Sequence, residues 1–158
     1  MMTNAIIIGA GASGLMCART LLDRKKSFAL LDHSAKTGQK LLASGGGRCN
    51  FTNKVIDISH YKSQNPHFVR SALSRFGFEE SISFFSKYGV VWKEEEEGKI
   101  FCKFTAREIL KPFNDLPVIT SCKIGSIDRI GDAFVVKSDR GDFSSRNLVV
   151  ATGGLSYR

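Results

Sequence analysis

The sequence predicts an α/β fold: a parallel sheet with a crossover helix, joined to a small antiparallel meander. Three observations predict it. Residues 5–8 (Ala-Ile-Ile-Ile) and 28–31 (Phe-Ala-Leu-Leu) are short, unbroken apolar runs, the pattern of strands buried on both faces of a sheet. Between them Leu15, Met16, Ala18, Leu21 and Leu22 recur at helical spacing, and parallel neighbours need such a crossover. From residue 118 onward the apolar residues alternate, with turns at Gly131-Asp132 and Arg140-Gly141-Asp142, as expected of a meander.

In chain order, residues 4–32 form a β–α–β unit, its helix closed by the charged run Asp23-Arg24-Lys25-Lys26. A glycine-rich loop over 38–53 follows. Phe68, Ala72, Leu73 and Phe76 predict an amphipathic helix over 66–76, and Ile82, Phe84, Phe85 and Tyr88 predict another over 78–88. Val90-Val91-Trp92 and Ile100-Phe101 flank Glu94–Glu97 and Gly98, which reads as a hairpin with a solvated acidic tip. Thr105-x-x-Glu108 has capping-box spacing, so a helix is expected from Ala106 to about Asn114. The meander is placed at 118–146. Leu148-Val149-Val150-Ala151 is a last buried-type run, ending in Thr152-Gly153-Gly154. These segments read as one domain, with residues 60–116 as a helical and hairpin insertion.

Length and composition narrow the function classes. The 158 residues are 42% hydrophobic and 24% charged, a globular composition able to bury a core. The formal net charge of +8 favours an anionic ligand or partner, such as a phosphate cofactor, nucleic acid or acidic substrate. Cys17, Cys49, Cys102 and Cys122 show no C-x-x-C pair, and His33, His60 and His67 are equally scattered. Four reduced thiols and no metal are therefore expected. No apolar run reaches the roughly 18 residues of a membrane span. Residues 1–16 lack a basic segment and are interrupted by glycine, unlike a signal peptide. The cytoplasm is the expected compartment.

The chemistry lies in three glycine-bearing stretches. Gly9-Ala10-Gly11-Ala12-Ser13-Gly14 is a G-x-G-x-x-G between a predicted strand and helix. In that context Gly9 allows the tight turn, Gly11 the approach of a pyrophosphate, and Gly14 close helix–strand packing. Free N–H groups at the helix start then meet the phosphates. Asp32 ends the next strand, 18 residues after Gly14, placed to accept from ribose hydroxyls and to repel a 2′-phosphate. A dinucleotide is implied, and this motif alone does not distinguish NAD from FAD. The second stretch is GQKLLASGGGRCNFTN, residues 38–53. Its glycines free N–H groups for an anion, with Lys40 and Arg48 as counter-charges. The third is Ala151-Thr152-Gly153-Gly154, past the carboxyl end of a strand, where open α/β sheets bind ligands. Pairing the second and third stretches around a meander favours FAD over a nicotinamide-only dehydrogenase.

GAGASG, GQKLLASGGGRCNFTN, GKIFCKFTAREIL and LVVATGGLSY together resemble the YhiN/BaiN-like (BaiN/RdsA) family of NAD(P)/FAD-dependent oxidoreductases, over essentially the whole chain. The resemblance implies a Rossmann-like, three-layer ββα FAD-binding domain of the glutathione-reductase type. It implies that Gly9, Gly11, Ala12, Ser13, Gly14, Asp32, Lys40, Ser44, Gly45, Gly46, Gly47, Arg48, Cys49 and Asn50 line FAD. Ala151, Thr152, Gly153 and Gly154 would lie close by, and Ile124 would offer its backbone to the adenine. Two positions depart from the family: Asp32 stands where glutamate is usual, and Cys102 where proline is common. Members continue past SY into a substrate domain, so the chain is expected to be an N-terminal portion, inactive alone, with the substrate domain absent.

The implied reactions are NAD(P)H-linked reduction of an activated C=C bond, in steroid-type acids or in uracil of ribosomal RNA, and oxidation of small amines. The residues leave the substrate open between a small molecule and RNA, and they leave the oligomeric state open. Two other readings stand beside this one: a nicotinamide-only dehydrogenase domain, and a non-catalytic basic module that binds RNA. Cys49 reads as a packed residue rather than a redox thiol, because no second cysteine lies in local register. Tyr157 is read as packing rather than as a proton donor.

Overall fold

The computed structural model describes residues 3–154; Tyr157 lies outside them. The chain divides into two compact units, Met1–Leu41 with Phe113–Arg158, and Leu42–Pro112.

The first unit is built on a four-stranded parallel sheet of β1 (Ala5–Ile8), β2 (Phe28–Leu31), β6 (Val118–Ile119) and β10 (Leu148–Val150), in the order β10-β1-β2-β6. Ile6 pairs with Ala29 on one side and with Leu148 on the other. Alternation along the strands divides the apolar residues between two faces. Ile6, Ile8, Ala29 and Leu31 pack with Cys122 and Val136. Val136 comes from the antiparallel meander of β7 (Ile124–Ile130), β8 (Ala133–Ser138) and β9 (Gly141–Ser145). Ile7 and Leu30, both fully buried, point to the opposite face. There α1 (Ala12–Asp23) packs on β1 and β2 and buries Leu15 and Ala18. Meander, parallel sheet and helix make the expected ββα layers. Each fully buried Ile or Leu contributes about 1.5–3 kcal/mol relative to exposure.

α2 (Gln39–Ala43) runs across the boundary, with Gln39, Lys40 and Leu41 in the first unit, and the second unit carries a three-stranded antiparallel sheet, order β3-β5-β4. Its strands are β3 (Asn50–Asn53), β4 (Trp92–Glu94) and β5 (Lys99–Cys102). Two helices, α3 (Arg70–Leu73) and α4 (Phe78–Lys87), precede β4. The Phe51 ring from β3 meets Phe85 of α4 edge-on at 5.0 Å, and Ile100, Cys102 and Ile109 are fully buried.

Several predicted elements differ. The loop over 38–53 contains α2, a 3-10 turn at Ser44–Gly47 and β3, which adds a third strand to the predicted hairpin. The helix expected over 66–76 shrinks to one turn, with Phe68 and Phe76 exposed; short helices persist only where an apolar face is buried. The helix after Thr105 is a 3-10 helix, Ala106–Phe113. Pro112 inside it has no N–H for an α-type bond, and its ring would strike the carbonyl four residues back. The alternating run from 118 breaks in two: Val118–Ile119 joins the parallel sheet beside Leu30 and Leu31, and the meander begins at Ile124. β10 is an edge strand, with Val150 67% exposed rather than buried, and Ala151 lies beyond it.

Candidate cofactor-binding residues

In the first unit the carboxyl end of β1 turns through Gly9 into α1. Gly9 has φ +106°, and a Cβ there would collide with the carbonyl of Ala151. The turn after β10 is therefore seated on the turn after β1, and Ala151 N–H donates to Ile8 O at 2.8 Å. A Cβ on Gly14 would strike Gly9 O, which explains the third glycine of the motif. Gly11 differs: a Cβ there meets nothing within 4 Å. It caps α1 without a side-chain bond, no acidic residue lies in the first turn, and Ala12 and Ser13 are exposed. Uncapped N–H groups at the positive end of a twelve-residue helix, beneath open space, suit a phosphate. These residues fit the diphosphate of a dinucleotide.

Asp32 does something the sequence did not show. Its Oδ2 accepts from Ala10 N–H at 2.5 Å and its Oδ1 from Ser34 N–H at 2.7 Å. The carboxylate thus fixes the glycine turn from beneath, while each oxygen keeps acceptor capacity for a further donor. Lys40 Nζ donates to Gly154 O at 3.0 Å, and the position of a Gly153 Cβ lies 3.7 Å from that ammonium. Gly9–Gly14, Asp32, Lys40 and Ala151–Gly154 are thereby gathered through direct contacts within one unit. Ile124 is half-buried, packed against the cluster of Ile6, Ile8 and Val136, at a register shift between β7 and β8.

In the second unit Gly45, Gly46, Gly47 and Cys49 all have positive φ, between 52° and 83°. This left-handed path, rather than a shortage of space, calls for glycine at 46 and 47, where a Cβ meets nothing within 4 Å. At Gly45 a Cβ would lie 2.8 Å from Asn50 N and from the Phe101 ring. Arg48 is paired with Glu95, and its guanidinium stands 4.6 Å from the Phe101 ring centroid. Lys93, 2.6 Å from the same carboxylate, and Arg48 hold Glu95 below the usual glutamate range. Glu95 escaped the sequence reading because it sat in what looked like a solvated acidic tip. A cavity of about 470 Å³ lined by Glu95, Glu96, Lys99 and Phe101 has two carboxylates in its wall and is a poor seat for phosphate.

Cys49 and Cys102 correct a second expectation. The two thiols share a hydrogen bond, which with a bond from Ser44 lowers Cys49 to about 7 despite burial. Cys102 is pushed upward by Cys49, by burial and by the charge of Glu108. A second cysteine therefore does lie beside Cys49, brought there by the pairing of β3 with β5. Among the described residues no cluster of His, Cys, Asp and Glu could hold a metal ion, and no helix is long and apolar enough to cross a membrane.

Comparison with known proteins places these features in a family. Residues 3–158 match the model of the HI0933-like protein Rossmann domain. The chain is 40% identical, over 96% of its length, to a ribosomal RNA dihydrouridine synthase of Haemophilus influenzae. It is 28% identical, again over 96%, to a 3-dehydro-bile acid delta(4,6)-reductase of Clostridium scindens. It spans 40% and 39% of the lengths of these two relatives. Among solved structures, OTEMO in complex with FAD and NADP shares the fold, with a TM-score of 0.58 at 16% identity, over 99% of this chain and 26% of that one.

Proposed function

The chain belongs to the HI0933-like protein Rossmann domain family, and from that premise we propose that it is the FAD-binding part of a flavin-dependent oxidoreductase that reduces an activated C=C bond with NAD(P)H. The observation that carries the reading is the first unit's cluster. The open N-terminus of α1 above Gly11, the Asp32 carboxylate, and the turn after β10 with Lys40 are held together by the contacts of Gly9 and Gly14.

In this reading each residue has a defined task. N–H groups of Gly11, Ala12 and Ser13 hold the diphosphate, with no nearby carboxylate in the first turn to oppose its charge. The free acceptor capacity of Asp32 takes ribose hydroxyls and disfavours a 2′-phosphate. Lys40 adds positive charge beside Gly153 and Gly154. The backbone of Ile124 stands as the adenine contact. In the second unit, Ser44–Asn50 are proposed as further cofactor contacts on the strength of the exposed left-handed glycine run. Arg48 would then share its charge between Glu95 and the ligand. When bound, FAD supplies two-electron hydride chemistry at its isoalloxazine ring.

The substrate assignment follows the 40% identical relative: a uracil base of ribosomal RNA, whose ring C=C bond gains two hydrogens. The +8 charge suits a polyanionic partner. The protein that carries this chain, incubated with NADH or NADPH and ribosomal RNA lacking dihydrouridine, is expected to convert uridine, read by nuclease digestion and mass spectrometry. Unchanged RNA together with turnover of a bile-acid-type enone would transfer the assignment to the second relative's chemistry. A small-amine oxidase would show neither and would consume oxygen with an amine instead.

A further inference from the structure

We propose that Cys49 and Cys102 form a peroxide-responsive dithiol, closing to an intramolecular disulfide that ties the left-handed glycine loop to β5. The proposal rests on observations within the second unit alone and goes beyond the flavin reading, although Cys49 lies in the Ser44–Asn50 stretch proposed above for the cofactor.

Three observations place the two sulfurs together. Asn50 is paired with Phe101 across β3 and β5, so Cys49 and Cys102, one step outward on each strand, are neighbours. Cys102 N–H donates to Arg48 O at 3.0 Å and to Cys49 O at 3.3 Å. Cys49 lies just before β3, with a left-handed backbone, yet its carbonyl still accepts from Cys102, a backbone contact compatible with the Cα separation of about 4.4–6.8 Å that a disulfide spans. Neither cysteine is in a disulfide, and the proximity of Cys102 lowers the pKa of the Cys49 thiol. Both side chains are buried, 1% and 0% exposed, which keeps out bulky thiols and disulfides. Hydrogen peroxide is far smaller, and the neighbouring Gly45, Gly46 and Gly47 are exposed and carry no side chain to block its approach.

Cys49 is the attacking sulfur, because the bonds from Cys102 and Ser44 favour its thiolate while Cys102 keeps its proton. The thiolate attacks one peroxide oxygen, the O–O bond breaks, and the departing hydroxide takes a proton to become water. Cys49 is then a sulfenic acid. Cys102 sulfur attacks Cys49 sulfur, the S–O bond breaks, and the leaving hydroxide takes the Cys102 proton. Two thiols and one peroxide thus yield one disulfide and two waters. A small dithiol reverses the step by becoming a disulfide itself.

The test treats the intact chain with hydrogen peroxide at neutral pH, blocks the remaining thiols, and maps linkages by peptide mass spectrometry. Expected is a Cys49–Cys102 linkage about tenfold more abundant than any pairing with Cys17 or Cys122, lost on treatment with dithiothreitol. In Cys102→Ser, Cys49 is expected to be trapped as a sulfenic acid by dimedone. The wild-type map decides the matter even if that variant does not fold. Free thiols at 49 and 102 after Cys17 has been oxidised, or linkages spread across all four cysteines, would overturn the proposal.

Discussion

At Gly14 the space for a side chain is taken by the carbonyl oxygen of Gly9, so even a methyl group must push β1 and α1 apart. Gly14→Ala is expected to cost about 3 kcal/mol, a fall in melting temperature of about 6–12 °C for a domain of this size. Thermal unfolding followed by circular dichroism checks it. Cys49 makes a second residue-scale prediction. Its thiol is held at about 7, against an ordinary value of 9.0, chiefly by the bond from Cys102. Thiolate absorbance in the ultraviolet, wild type minus Cys49→Ser, should therefore rise near pH 7, and in Cys102→Ala the rise should move toward 9. Between those values the unfolded chain binds the proton that folded Cys49 has released. This group's contribution to stability accordingly increases with pH across the window and is lost as pH falls through about 7. The glycines of 9–14 were legible in the sequence because the turn of Gly9 and the contact of Gly14 with Gly9 are local, although the close approach of Ala151 to Gly9 is not. The pairs Cys49–Cys102 and Arg48–Glu95 were not, because each joins residues distant in sequence through the register of the β3-β5-β4 sheet.

Among the elements, β1, α1 and β2 follow directly from apolar spacing, since a strand buried on both faces and its crossover helix leave an unambiguous pattern. Elements whose burial is partial were harder to read. The aromatic stripe of 66–76 sits at helical spacing, yet Phe68 and Phe76 remain exposed, and most of that helix does not form. α4 keeps its full length. The Glu80 carboxylate accepts from Gly77 N–H at 2.9 Å, and Phe85 is buried. Glu80→Ala is expected to lower stability by about 0.5–1 kcal/mol, measured as a shift in urea midpoint with unchanged slope. In the first unit α1 is anchored by Arg19, whose guanidinium meets Asp115 at 2.7 and 2.9 Å and Asp23 at 2.8 Å. Arg19 is buried while both carboxylates are largely exposed. Arg19→Ala should thus cost about 1–2 kcal/mol through lost packing as well as lost charge, and Asp23→Ala under about 0.5 kcal/mol. The same urea titration separates the two.

For the whole molecule, the parallel sheet, meander and helix form a Rossmann-like unit in which the turns after β1 and β10 meet. A second unit carries the glycine loop and its cysteine pair. The FAD reading turns on Gly11, the one glycine of the motif with open space above it. A bulkier residue there alters the approach of a ligand without disturbing the protein's own packing. FAD titrated into the purified chain, followed by quenching of flavin fluorescence, tests this most directly, with NAD as competitor and Gly11→Val as control. The account predicts saturable FAD binding that excess NAD does not displace, and affinity at least about tenfold weaker, about 1.4 kcal/mol, in a Gly11→Val chain that unfolds at the wild-type temperature. Tight NAD binding with no retention of FAD, or FAD binding indifferent to Gly11→Val, would contradict it.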